Sequence, residues 1–413
     1  MMRNKLLGLL LFALSFSALL SCETDGPDDY KDHFVKYYGG DGDQESKDLL
    51  VNDDGTVVML GTSTETTGKK NVLVVKADVE GKQLWSLKLV GPTDEMAQDV
   101  EKISTGPDAG NYLIVSNAEK SVADSLAIRL TIVSETGDSL KSFLIDRYES
   151  QEAKSITILS TGQYYLTGKV KNVDTLNVEL PGVIDLEDSF DMIIGSDFSL
   201  VSSDRFGKST VASGVKILDR SNSINYALYT DEFIGADGVY ESNFVFRRYN
   251  KVTNDKESFY SGSPRMNEYL ADIDQSLTGI FLAVGTQIDP NTKSTKVYVT
   301  SINSSFISVN TEATVASPNQ GEGVATCAAI DGNFFWVVGN EIRSGGLRNI
   351  WLGKLDGTDL STVFSRTFGG PSNDDTASKV LQLDNGDVLI LGTMELVNQK
   401  KMALIKIKAN GSF

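Results

Sequence analysis

Tyr38-Gly39-Gly40-Asp41-Gly42-Asp43-Gln44-Glu45-Ser46-Lys47-Asp48-Leu49-Leu50-Val51-Asn52-Asp53-Asp54-Gly55-Thr56-Val57-Val58-Met59-Leu60-Gly61-Thr62 returns near the other end of the chain. There it reads Phe368-Gly-Gly-Pro-Ser-Asn-Asp-Asp-Thr-Ala-Ser-Lys-Val-Leu-Gln-Leu-Asp-Asn-Gly-Asp-Val-Leu-Ile-Leu-Gly-Thr393. Lys70–Lys76 and Lys400–Lys406 continue the match. Degenerate copies of the aromatic-glycine opening fall near Gly91, Tyr148, Gly207, Gly262 and Ser317, which makes seven units. Repeats on this scale indicate a stacked or radial architecture.

Each unit holds four apolar stretches. In the first they are 46–51, 56–61, 71–77 and 83–90, alternating apolar and polar with the period of a strand. Asp54-Gly55 and Asn385-Gly386 supply the positive φ angles that tight hairpins demand. Four short strands per unit, repeated radially, predict an all-β, seven-bladed β-propeller of four-stranded blades over residues 33–413. The last unit ends at Phe413 and lacks a fourth strand, whereas His33–Tyr38 is a spare strand before the first Gly-Gly. The spare strand is expected to complete the last blade and close the ring, which leaves no open sheet at either end.

The order Tyr/Phe-Gly-Gly, acidic loop, Asp-x-Gly, Leu-Gly-Thr, a strand ending in Lys and then Gly-x-x-x-Trp resembles the bacterial SBBP-type β-propeller repeat. That resemblance covers nearly all of 33–413 and implies a fold but no single activity. Ala77–Trp85 is similar to the tryptophan-docking motif of pyrroloquinoline-quinone propellers. The vicinal cysteine pair that quinoprotein dehydrogenases use is absent from the sequence, so Trp85 is expected to pack between blades. The same likeness extends to the propeller lipoprotein of the outer-membrane barrel assembly machinery, a non-catalytic scaffold.

The beginning of the chain has its own logic. Arg3 and Lys5 precede an apolar run, Leu6–Leu20, that is short for a membrane span. A charged start, an apolar core and small residues describe a signal peptide, 1–21. Leu19-Leu20-Ser21-Cys22 resembles the lipobox of bacterial lipoproteins, which implies lipidation of Cys22 and a membrane anchor. Residues 22–32 are polar and acidic and read as a disordered tether. Acidic residues after the cysteine resemble the surface-export signal of Bacteroidota lipoproteins. The expected location is the outer membrane, facing the exterior.

Composition excludes several function classes. The chain has 56 acidic and 38 basic residues, a formal charge of −18. Losing Arg3 and Lys5 with the leader makes this −20, which repels nucleic acid. A single histidine, His33, excludes a Ser-His-Asp or Cys-His arrangement and a histidine-based zinc or iron site. His33 itself is expected at the surface. Cys327, the other cysteine, lies in an apolar segment and reads as a buried inert thiol.

The loops opening the blades are acidic: Asp41, Asp43, Glu45, Asp94, Glu95, Glu149, Glu152, Glu322, Asp374 and Asp375. Asp41, Asp43 and Glu45 are the best candidates for structural Ca²⁺, and no other cofactor is expected. The preferred reading is that Asp and Gly serve tight turns without an ion. The same carboxylates as the acid and base of a hydrolase are the weakest alternative. Phe334, Phe335, Trp336 and Trp351 read as core. Lys76, Arg129, Arg247, Lys354 and Lys406 share one repeat column and are expected to pair with neighbouring acidic groups.

Two long inserts are the most individual features. Asn172–Phe190 carries Asp185, Glu187 and Asp188. Thr230–Ser242 carries Asp231-Glu232-Phe233 and Tyr240. Long loops on a rigid scaffold are where specificity tends to reside, so these residues form the expected partner contact. The function expected is non-enzymatic: a membrane-anchored scaffold that binds an outer-membrane protein or lipoprotein complex. A surface glycan-binding lipoprotein is the alternative.

Overall fold

The computed structural model describes residues 33–122, 124–171, 187–206, 211–221, 224–234, 240–250, 252, 253 and 255–412. The leader 1–21, the tether 22–32 with Cys22, and Asp185 lie outside them. The described residues form 28 strands and no helix. Antiparallel pairing runs through them in consecutive sets of four. Unit one, for example, comprises Asp43–Val51, Val57–Thr64, Lys70–Ala77 and Gln83–Leu89.

The sequence dictates the local geometry of that unit. Gly55 turns the first hairpin with φ +79°, its N–H donating to Asn52 O at 2.9 Å. Val57–Thr64 and Lys70–Ala77 are almost wholly buried, because neighbouring units cover both of their faces. Gln83–Leu89 alternates between exposed and half-buried, as expected for an outermost strand. Val58, Leu60 and Val74 share one apolar cluster with Val100, Tyr112 and Ile114 of unit two. Each such side chain taken out of water contributes roughly 1.5–3 kcal/mol.

The Leu-Gly-Thr motif has a structural cause. The first strand of every unit carries a one-residue bulge, at Lys47, Gln98, Lys154, Val215, Ala271, Val324 and Ser378. Gly61 sits opposite the bulge of unit one, and a Cβ there would lie 2.5 Å from Glu45 O. The threonine that follows reaches the next unit: Thr62 Oγ1 accepts the Ala97 N–H at 3.0 Å. Asn117, Thr230 and Asn340 make the same bond to Ala153, Leu270 and Ala377. Unit seven makes it to unit one, with Thr393 Oγ1 accepting the Ser46 N–H at 2.8 Å.

The spare strand behaves as expected. Phe34–Tyr38 pairs antiparallel with Gln399–Ile407, in the register Phe34 with Lys406 to Tyr38 with Met402. Met59 and Val75 of unit one join Leu391, Met402 and Leu404 of unit seven in one buried cluster. Chain ends and apolar core therefore meet at the same seam.

Units three to five depart from separate four-stranded sheets. Single parallel bridges, Glu187 with Val211 and Ser242 with Asn267, join them into one 12-stranded sheet. The first three strands of unit four, Val211–Ser221, Ile224–Ile234 and Tyr240–Asn250, have 11 residues each and reach far enough to meet both neighbours.

These lengths correct the expected inserts. Glu187 and Asp188 belong to a strand, opposite Lys171 and Val170. Asp231 and Glu232 pair with Asn243 and Ser242, and Tyr240 lies opposite Ile234. A polar strand that runs past the body of a sheet has the composition of a loop, which is why the sequence read as one. His33 is corrected too. Its side chain is 9% exposed, with Nε2 3.2 Å from Asp387 Oδ1, because the closing strand carries it onto unit seven.

Candidate functional site

The acidic loops are engaged as fasteners. Asp43 Oδ1 accepts the Lys400 N–H at 2.9 Å, and Glu45 Oε1 lies 3.2 Å from Lys400 Nζ. Asp374 takes both Arg348 Nε at 2.9 Å and Nη2 at 2.7 Å. Glu95, fully buried, takes Arg129 Nε at 2.8 Å. Asp375 accepts the Glu395 and Gly370 N–H groups. Among the described residues no group of three or more acidic, His or Cys side chains has a geometry that holds a metal. Asp41, Asp43 and Glu45 are not brought together as a calcium cage.

The residues that open the units are held from the preceding unit by cations. Lys69 Nζ donates to Gly91 O at 2.7 Å, Lys120 to Tyr148 O at 2.7 Å and Arg343 to Gly370 O at 2.7 Å. Lys401 closes the series on Gly40 O at 2.5 Å. The basic column divides between two kinds of partner. Arg129, Lys354 and Lys406 pair with Glu95, Asp331 and Asp387. Lys76 instead lies over the Tyr112 ring, and Arg247 over Phe206 at 4.2 Å. Both are cation–π contacts rather than the ion pairs expected.

Trp85 docks on the next unit, as the sequence suggested, with Nε1 donating to Glu135 O at 2.9 Å and the ring on Gly137. The arrangement recurs with other rings, Phe34 lying on Gly81 and Phe364 on Gly411. Where the turn residue is itself aromatic, the rings stack: Phe143 meets Phe198 with centroids 5.6 Å apart. Cys327 is buried, as expected, and burial pushes its thiol up. Trp336 and Trp351 are core residues.

What the sequence reading missed is the centre. The bulged first strands surround a cavity of about 980 Å³. Lys216 Nζ lies 2.6 Å from Asp272 Oδ1. Lys379 Nζ reaches Asp48 at 3.3 Å and Asp272 at 3.8 Å. Asp48 Oδ2 and Asp99 Oδ1 both accept the Val100 N–H, at 3.1 and 2.9 Å, so the two carboxyls are adjacent. Asp99 Oδ2 accepts the Ile156 N–H at 2.8 Å, and Asp272 Oδ2 that of Thr326 at 3.2 Å. These bonds link innermost strands of neighbouring units.

The electrostatics follow from this packing. Burial, then the charge of Asp48, holds the Asp99 carboxyl well above the usual range. Burial, then Asp48, pushes Glu101 up to about 7. Burial would also raise Asp48, but Lys379 and hydrogen bonds from Asp99 and Val100 more than offset it and hold it low. Asp272 is lowered in the same way, Lys216 and Lys379 outweighing burial. The signal in the sequence was a charge just after the bulge, Asp48 in one copy and Lys379 in the other.

No protein-family model matches the chain, and no curated protein matches it. Solved structures do. A protein of unknown function from Dyadobacter fermentans aligns with TM-score 0.50 at 9% identity, covering 90% of this chain and 97% of that one. The β-propeller domain of the Trilobed protease from Pyrococcus furiosus aligns with TM-score 0.50 at 10% identity, covering 91% and 96%. Raptor from Chaetomium thermophilum aligns with TM-score 0.54 at 8% identity over 94% of this chain and 30% of its own. At these identities the likeness concerns the fold, which is all-β and propeller-like. The Pyrococcus domain has an open velcro topology, whereas here Phe34–Tyr38 pairs with the last strand.

Proposed function

We propose that the chain is a non-enzymatic interaction scaffold: a closed seven-bladed propeller, lipid-anchored through Cys22 at the outer membrane, that docks a membrane protein or lipoprotein complex. The observation that carries the reading is the extended hairpin of unit four. Its 11-residue strands hold Asp231 and Glu232 in ladder positions, Glu232 opposite Val211, which bridges Glu187 of unit three. Charged positions such as Glu95, Asp374 and Asp43 hold strands together within and between units. Rigid strands that overshoot the body are a better platform for a partner than a free loop. Seven successive bulges and the bond from Thr393 to Ser46 support the blade count and the closure. The likeness of the leader to a lipobox supports the anchor.

The test is native affinity purification of the tagged chain from detergent-solubilised outer membrane. A single membrane protein recovered in stoichiometric amount, and lost with Asp231→Lys/Glu232→Lys, is the expected result. Recovery of the chain alone would overturn the scaffold reading.

A further inference from the structure

Units two and five fill the same ladder positions with different chemistry. In unit two, Arg129 of the third strand spans two neighbours. Its Nε donates to Glu95 of the first strand at 2.8 Å, and its Nη1 to Ser142 Oγ of the fourth at 3.3 Å. Counting from the bulge, the matching residues of unit five are Glu268, Tyr298 and Glu312. A phenol stands at the position of the guanidinium, and a second carboxylate at the position of the serine.

No cation of the chain answers these two glutamates. Among the described residues neither has an ion-pair partner. Glu268 is fully buried. Its Oε1 accepts the Ser263 N–H at 3.0 Å and Gln287 Nε2 at 2.8 Å, but its Oε2 has no hydrogen-bond partner. Burial pushes the carboxyl up to about 7 against those two bonds, and the charges of Glu312 and Glu241 add to the rise. Buried charges in folded proteins are paired or coordinate a metal.

The neighbouring polar groups are oxygens. Ser261 Oγ lies 2.6 Å from Glu312 Oε2, 2.8 Å from Thr300 Oγ1 and 3.3 Å from the Tyr298 hydroxyl. Burial, then Glu312 and Glu268, holds the Tyr298 phenol above its ordinary range, so both carboxylates are close enough to act on one hydroxyl. Gly262, the residue after Ser261, lets two further oxygens approach the backbone. A Cβ there would lie 2.0 Å from Asn243 Oδ1 and 3.1 Å from Glu268 Oε2. Ser261, Tyr298 and Thr300 are buried, whereas Glu312 is exposed on the outermost strand, so the cluster opens to solvent at one end. Two carboxylates with neutral oxygens suit a hard cation, and calcium tolerates irregular geometry. A partner's side chain does not reach an oxygen shielded as completely as Glu268 Oε2, whereas a small ion can enter from the Glu312 end.

We infer that unit five binds one calcium ion between Glu268 and Glu312, among the oxygens of Asn243, Ser261, Tyr298 and Thr300. The ion takes the place in unit five that the Arg129 guanidinium has in unit two. This site is separate from Asp41, Asp43 and Glu45, and neither Asp231 nor Glu232 of the proposed partner contact contributes an oxygen to it.

The experiment is equilibrium dialysis of the full-length protein, first stripped with EDTA, against calcium chloride at a pH of about 8, above the ordinary range of a carboxylate. Thermal unfolding of the same samples follows. One saturable calcium ion per chain is expected, with the low affinity, Kd about 10⁻⁴–10⁻³ M, of a site with few charges. Calcium should raise the unfolding midpoint, and sodium chloride at matched ionic strength should not. Glu268→Gln and Glu312→Gln should each weaken binding by at least about tenfold. Gln44 and Gln151 hold the position of Glu268 in units one and three, so the first variant suits the fold. In EDTA Glu268→Gln should be no less stable than the native chain, and in calcium less stable. That reversal separates the loss of an ion from the loss of a contact. Asp41→Asn/Glu45→Gln should leave binding unchanged. No saturable binding below about 10 mM, an equal effect of sodium chloride, binding that survives either glutamine variant, or binding lost with Asp41→Asn/Glu45→Gln would each overturn the proposal.

Discussion

Thr393 Oγ1 accepts the backbone N–H of Ser46 at 2.8 Å across 347 positions of sequence. Ser46 Oγ lies 2.6 Å from Ser378 Oγ and 2.9 Å from the same threonine oxygen. This is the bond that Thr62 makes to Ala97 within the chain, so the seam between the ends is built like the boundaries closed by Thr62, Asn117, Thr230 and Asn340. Thr393→Val keeps the shape and strands the Ser46 N–H. It should cost about 1–3 kcal/mol in urea unfolding, as much as Thr62→Val. Deleting residues 33–38 removes the whole closing strand and should lower the unfolding midpoint of the entire domain. An unchanged midpoint would show that the seam contributes nothing.

Trp85 and Gly137 form a second boundary device. A Cβ on Gly137 would lie 2.9 Å from the Trp85 ring, and the residue has φ +91°. Gly137→Ala therefore combines a steric and a backbone penalty, together about 2–3 kcal/mol. Trp85→Ala opens the space but leaves the backbone penalty. In a double-mutant cycle by denaturant unfolding, Gly137→Ala should cost less in the Trp85→Ala background, by at least about 1 kcal/mol. Additive values would mean that the ring does not seat on this turn.

The two clearest copies of the repeat made the strands, the tight turns and the spare N-terminal strand legible, because alternation and Asx-Gly turns are local signals. Units three to five were weaker copies, and there the reading of strand lengths failed. The polar residues Asp231, Glu232 and Tyr240 continue a ladder that only the partner strand reveals. The partners of the acidic loops were hidden for a related reason. Asp43 and Glu45 look like metal ligands beside one another in sequence, but their partner Lys400 lies at the far end of the chain. The central cluster was invisible because its members, such as Asp48 and Lys379, come from different units and meet only in the fold.

Lys379 joins two carboxylates from units one and five. Lys379→Met removes the cation and leaves Asp48 without its ion pair while Asp272 keeps Lys216. A buried charge deprived of its partner costs about 3–5 kcal/mol, and the lysine's partial access to the cavity places the expected loss at the lower end. Asp48→Asn/Lys379→Met removes both charges and should recover at least about 1 kcal/mol of it. If the double variant were no more stable than the single one, Asp48 would not depend on Lys379.

Glu101 sets the pH dependence near neutrality. Its carboxyl is pushed up to about 7 from 4.5, first by burial and then by Asp48. The folded state thus binds a proton that the unfolded chain releases between those values. Stability from this group is fully present below pH about 4.5 and is lost as pH rises towards 7, by at most about 3 kcal/mol. Asp99, also raised, acts in the same direction. Asp48 and Asp272 are lowered and act oppositely, but only below the ordinary range of an aspartate. Glu101→Gln cannot ionise, so thermal unfolding should show it more stable than the native chain at pH 8 and nearly equal to it at pH 5. The same difference at both values would mean that Glu101 does not titrate in this window.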